Sequence, residues 1–182
     1  MSAKPRLILL LREHSVLWGD FTLRSGKKSD LYVDVRKTSL HAQGAVTIAL
    51  AVLQSRLADV AAVGGVELGA VPIVGSVLAI QTEAPFRIGL QGFVVRKTPK
   101  EHGTQTKIEN CPPAGTKVAI IEDVTTSGLS MMEAITAAEG AGLNVIQAIT
   151  VVDRQEGAEE FLRASGFVGV FTPLVTRVDL AI

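Results

Sequence analysis

The sequence predicts an α/β protein in which a parallel sheet is flanked by helices and a small subdomain sits at the N-terminal end. Two observations lead there. Short apolar runs at residues 60–64, 117–122 and 143–152 alternate with stretches of helical period, the mark of βαβ units whose strands are covered on both faces. Ahead of them, residues 1–38 hold one helix-length segment and two strand-like runs around a polar turn. This segment forms most of a subdomain within a single domain spanning 1–182. Sheets of this kind bind ligands beyond the carboxyl ends of their strands, so the chemistry is expected just after each strand.

Residues 6–14 read as a helix, since the apolar run 7–11 is closed by Arg12 and Glu13 with no small-residue cleavage site behind it. Residues 16–23 and 31–36 read as strands around Ser25-Gly26-Lys27-Lys28-Ser29. Ser39 caps a helix running to about Leu57, and the strand 60–64 ends in glycine before a helix over 70–81. Residues 86–95 are strand-like, 96–107 polar and aperiodic, and 117–122 a β-branched strand entering a small-residue turn. A helix opens near Gly128 with Leu129, Met132 and Ile135 on one face, and stops at Gly140-Ala141-Gly142. The strand 143–152, a helix over 157–164 and a strand over 167–172 complete the pattern.

The composition narrows the function. With 182 residues, 47% of them hydrophobic, the chain can bury one full core. Its 18 Lys and Arg balance 18 Asp and Glu, so no global field draws it to nucleic acid or to an anionic membrane. Cys111 is the single cysteine, which excludes an internal disulfide and fits a cytoplasmic location. The apolar stretch 60–80 approaches the length of a membrane span, but Glu67, Pro72 and four glycines within it suit a strand, a turn and a helix better.

The most informative stretch is Val118-Ala119-Ile120-Ile121-Glu122-Asp123-Val124-Thr125-Thr126-Ser127-Gly128. A buried strand delivers two acids, and a turn of hydroxyls and glycine then starts a helix. Unpaired N–H groups at a helix start, with hydroxyls from Thr125, Thr126 and Ser127, suit a phosphate. Neither a Walker loop nor a dinucleotide fingerprint is present. Two acids beside a phosphate suit sugar hydroxyls or a magnesium-bound group, and a ribose phosphate offers both.

This stretch resembles the phosphoribosyl pyrophosphate signature of type I phosphoribosyltransferases, whose fold is Rossmann-like. The resemblance implies that Glu122 and Asp123 hold the ribose hydroxyls while Val124, Thr125, Thr126, Ser127 and Gly128 surround the 5′-phosphate. Arg96-Lys97-Thr98-Pro99-Lys100-Glu101-His102-Gly103 is similar to the catalytic loop of the orotate phosphoribosyltransferase family. That likeness assigns Arg96, Lys97, Lys100 and His102 to pyrophosphate, with Lys100, His102 and Asp123 catalytic.

Residues 21–34 resemble the same family's N-terminal hood, implying that Arg24 approaches phosphoribosyl pyrophosphate and that Tyr32 and Val33 meet the pyrimidine edge with Thr126. Val151-Val152-Asp153-Arg154 resembles its Asp-Arg pair. There Arg154 grips the orotate carboxylate, a task suited to the guanidinium fork. Gly64-Gly65-Val66-Glu67-Leu68-Gly69-Ala70-Val71-Pro72 looks like the family's pyrophosphate loop.

The resemblance thus implies transfer of phosphoribosyl to N1 of orotate, with orotate and phosphoribosyl pyrophosphate as ligands and Mg2+ as cofactor. The ion is held mainly by substrate and water rather than by protein ligands. A homodimer sharing the basic loop between active sites is also implied. The rival readings are a purine phosphoribosyltransferase and a regulatory protein that senses phosphoribosyl pyrophosphate.

Overall fold

A computed structural model describes residues 2–22, 28–83, 89–98 and 107–181. Helix α1 (Lys4–His14) is followed by β1 (Val16–Thr22) and β2 (Lys28–Val33), which pair antiparallel as a separate two-stranded sheet. Then come α2 (Arg36–Ser39), α3 (Ala42–Ser55), β3 (Ala62–Val66), α4 (Val71–Ile80), β4 (Gln91–Val95) and β5 (Ile108–Glu109). The remainder is β6 (Lys117–Thr125), α5 (Leu129–Gly140), β7 (Asn144–Asp153), α6 (Ala158–Ala164), β8 (Val170–Thr176) and α7 (Arg177–Leu180).

The main sheet has the order β5-β4-β3-β6-β7-β8, parallel throughout except for β5. Alternation along β6 divides its side chains between two cores, as the two-residue period of a strand requires. Ala119 and Ile121 join Leu7, Ile48, Val52, Ile73 and Val77, contributed by α1, α3 and α4. Val118 and Ile120 join Met131, Ile135, Ala138 and Leu162 from α5 and α6. Each fully buried Val, Leu, Ile or Met among them stabilises the fold by about 1.5–3 kcal/mol.

Several boundaries depart from expectation, each for a packing reason. Ser39 does not cap a long helix: it is the buried last residue of α2, and α3 starts after His41 without a side-chain cap. The break is held by Thr38, whose hydroxyl lies 2.6 Å from that of Ser15. Gly44 of α3 sits so close to the Thr38 carbonyl that a Cβ there would overlap it. The strand expected over 60–64 instead runs through both glycines to Val66, because the Phe93 ring crosses Gly64, and Ala70 and the Ile121 carbonyl crowd Gly65. Those glycines permit close packing and do not end the strand.

The buried stripe of α5 is Met131, Ala134, Ile135 and Ala138, whereas Leu129 is exposed. It follows the i, i+3, i+4, i+7 spacing from Met131, the first side chain the turn directs onto the sheet. β8 begins three residues later than expected, since its register is set by Val170 pairing with Gln147. Of the strand-like stretch 86–95, only 91–95 is a described strand, and residues 84–88 lie outside the described residues. Among the described residues no helix is long and apolar enough to cross a membrane.

Candidate active site

The carboxyl end of β6 borders two cavities. The first, of about 520 Å³, is lined by Glu122, Asp123 and Val124 from β6, Ser130 from α5, Glu67, Leu68 and Gly69 after β3, and Lys97 after β4. Tyr32, Val33, Asp34 and Arg36 close it from the N-terminal hairpin side. The second, of about 610 Å³, is lined by Lys28, Ser29 and Asp30 of β2, by Ser127, and by Arg154, Glu156 and Arg177, with Asp20.

β6 is longer than its apolar composition predicts. Val124 pairs with Val152 and Thr125 with Asp153, so the ladder continues three residues beyond Glu122. Thr125 is thus the last residue of the strand. Its side chain is buried, and its hydroxyl donates to Glu122 Oε2 at 3.0 Å instead of standing free in the turn. Its carbonyl accepts the Arg154 N–H at 3.0 Å, which sets Arg154 beside the end of β6.

Thr126 is half-buried, Ser127 exposed and Gly128 buried. Gly128 has φ +84° and lies against the Ala158 carbonyl of α6, so it alone of the turn residues requires the absence of a side chain. After it, the first N–H groups of α5 have no partner within the helix, as at any helix start. Thr126 lines neither cavity, whereas Ser127 lines the second.

The two acids are electrostatically unusual. Burial pushes Glu122 up to about 7, opposed by the Thr125 hydroxyl and reinforced by the neighbouring charge of Asp123. Burial also raises Asp123, opposed by the N–H of Val124, which donates to Oδ1 at 2.9 Å, and by the charge of Arg36. Asp123 faces Gly69 closely enough that a Cβ there would overlap its carboxylate. Both acids therefore favour hydroxyl partners or a nearby cation.

The basic loop is divided. Lys97 lines the acid-bearing cleft, and its backbone N–H donates to Glu67 Oε1 at 3.0 Å. Arg96 does not line that cleft: it borders an adjoining cavity of about 240 Å³ and pairs with Glu109 of β5 at 3.3 Å. The antiparallel β4–β5 pairing, which periodicity did not reveal, brings that glutamate across. Lys100, His102 and Arg24 lie outside the described residues.

The expected base-binding residues are also split between cavities. Tyr32 and Val33 line the first, with the Tyr32 ring 5.7 Å from Phe21. Arg154 lines the second, where it is 6% exposed and binds Ser29 Oγ and Glu156 Oε1, each at 2.8 Å. Sequence reasoning placed Ser29, Asp34 and Glu67 in functional segments without giving them a role of their own, and singled out none of Arg36, Ser130 and Glu156. Ser130 carried a signal, a hydroxyl in the first turn of a helix at a strand end, and Glu156 lies two residues from Arg154; the others reach the site through tertiary packing.

Among the described residues, no group of three or more His, Cys, Asp and Glu side chains is gathered to hold a metal ion. Glu122 and Asp123 are chemically suited to meet one brought in by a diphosphate.

A parallel sheet whose central strand ends in two acids and a hydroxyl-glycine turn, facing a cleft, defines the type I phosphoribosyltransferase class. A Mycobacterium tuberculosis orotate phosphoribosyltransferase in complex with Fe(III) dicitrate matches with a TM-score of 0.81 and 35% identity, covering 99% of each chain. The complex of that enzyme with phosphoribosyl pyrophosphate matches with a TM-score of 0.79 and 32% identity over 99% of each chain. The orotate phosphoribosyltransferase of Corynebacterium glutamicum is 39% identical over 167 residues, 91% of this chain and 88% of the relative. The chain belongs to the orotate phosphoribosyltransferase family. No protein-family model matches it.

Proposed function

We propose that the protein transfers the phosphoribosyl group of phosphoribosyl pyrophosphate to N1 of orotate, yielding orotidine 5′-monophosphate and pyrophosphate. The observation that carries this reading is the segment 123–130, which borders an acid-bearing cleft on one side and the cavity of the buried Arg154 on the other. The first is suited to a sugar and its diphosphate, the second to a carboxylate.

In this reading Glu122 and Asp123 accept the ribose hydroxyls, and the N–H groups at the start of α5, with Thr126 and Ser127, hold the 5′-phosphate. As the C1–O bond to pyrophosphate breaks, the sugar gains oxocarbenium character and N1 of the orotate anion captures C1. No covalent enzyme intermediate forms. Lys97 supplies positive charge to the departing group, and the resemblance adds Arg96, Lys100 and His102. Magnesium, when bound, neutralises pyrophosphate charge. Arg154 takes the orotate carboxylate in bidentate geometry.

The same proposal includes a homodimer that shares the basic loop and a cytoplasmic location, which the exposed free Cys111 suits. Relatives named for orotate favour it over the purine and regulatory readings. The test is incubation with orotate, phosphoribosyl pyrophosphate and magnesium, which should deplete orotate and release pyrophosphate in equal amounts. Turnover of adenine or hypoxanthine instead would establish the purine reading, and tight binding without turnover the regulatory one.

A further inference from the structure

We propose that Glu156 is an internal stand-in for the substrate carboxylate: it occupies Arg154 in the free protein and must be displaced when orotate binds. The inference rests on the reading of Arg154 as the carboxylate-binding residue.

A buried guanidinium needs an anionic partner, because an unpaired charge away from water is costly. The Arg154 side chain is 7% exposed, and Glu156, two residues on, supplies the partner at 2.8 Å. Both contacts of this guanidinium fall on Nη2, which donates to Ser29 Oγ and forms an ion pair with Glu156 Oε1. Its Nε is buried and has no hydrogen-bond partner among the described residues. Nε and Nη2 form the side-on edge of the fork, which a single planar carboxylate can engage with two parallel bonds. Glu156 uses half of that edge.

The surroundings make Glu156 the displaceable member of the pair. Both residues line the cavity, but the Glu156 side chain is 35% exposed against 7% for the arginine. The backbone on either side is fixed: Gln155 has φ +56° and Gly157 φ +92°, the Gln155 N–H donates to Asp153 Oδ1 at 2.8 Å, and the Gln155 side chain accepts the Val178 N–H at 3.2 Å. The side chain is therefore free to swing into solvent without moving the turn. Of the other cations lining the cavity, Lys28 belongs to β2 and Arg177 is held by both oxygens of Asp30 at 2.8 and 2.7 Å. Arg154 is the buried cation of this cavity whose Nε still lacks an acceptor, and a carboxylate that takes it has Glu156 as its competitor.

Competition of this kind weakens apparent affinity by the fraction of molecules in which Arg154 is occupied. A base without a carboxylate has nothing to exchange for Glu156 and leaves the pair in place. Glu156→Ala and Glu156→Gln should lower the orotate Kd and KM by about two- to fivefold, the scale of a half-exposed ion pair. Gln, which keeps the shape and loses the charge, should give the smaller shift. The KM for phosphoribosyl pyrophosphate and the affinity for uracil, which lacks the carboxylate, should not change. A merely structural role would move all of these together.

An orotate KM that rises or stays constant in Glu156→Gln, with thermal unfolding unchanged, overturns the proposal. If the Ala variant fails to fold, the isosteric Gln variant decides alone. Wild-type protein that consumes no orotate would overturn the functional reading itself, a result distinct from any effect of Glu156.

Discussion

At the scale of single residues, the acid pair at the end of β6 shows how burial sets chemistry. Glu122 is raised from its ordinary 4.5 to about 7, so between these values the folded protein holds a proton that the unfolded chain has lost. The stabilisation this proton gives is complete below about 4.5 and disappears as pH rises through 7. Glu122→Gln keeps an acceptor for the Thr125 hydroxyl and removes the buried charge. The variant should match the wild type in thermal stability near pH 4.5 and exceed it at pH 8 by up to about 3 kcal/mol, with weaker phosphoribosyl pyrophosphate binding. Equal melting curves at pH 8 would show that Glu122 is hydrated. Arg154→Met should impair orotate use by the equivalent of about 2 to 5 kcal/mol, because the part-exposed Glu156 can remain hydrated while a bound carboxylate loses its partner. Steady-state kinetics with both substrates would check this, and the KM for phosphoribosyl pyrophosphate should be preserved.

At the scale of elements, the connection from β3 to α4 positions Asp123 across the cleft. Gly69 leaves room for that carboxylate, and any Cβ would push it aside. Displacing a reacting group by about 1 Å can cost about 100-fold in rate. Gly69→Ala is expected to lose about 10- to 100-fold in kcat/KM for phosphoribosyl pyrophosphate while retaining its fold, as measured by initial rates and circular dichroism. Retention of full activity would mean that Asp123 moves without penalty. The requirement was not readable locally: Gly64, Gly65 and Gly69 looked alike as parts of one glycine-rich loop. Two of them serve strand packing and the third serves the cleft.

At the scale of the whole molecule, the two cavities lie on either side of one strand end, and the cleft still requires the cations implied for the basic loop. If that loop crosses between the chains of a homodimer, Lys100 and Asp123 of different chains complete each site. Two inactive variants, Lys100→Ala and Asp123→Asn, should then rescue one another when refolded together. Random pairing makes half of the dimers mixed, each with one intact site, so about a quarter of wild-type activity should return. Mixed dimers that form and stay inactive would place the loop in its own chain's site.

The amino-acid sequence alone determined the alternation of strands and helices, the acid pair, the hydroxyl-glycine turn and the candidate Arg154. Each depends on residues adjacent in the chain, where periodicity and local hydrogen-bonding capacity are readable. Only the tertiary structure decided that β6 runs on to Thr125, that Arg96 turns to Glu109 and that Arg36 stands near Asp123. It also brought Ser29 to Arg154, a contact across 125 positions of sequence. These outcomes follow from ladder pairing and the close approach of distant backbones, whose energies are set by neighbours that no local window contains.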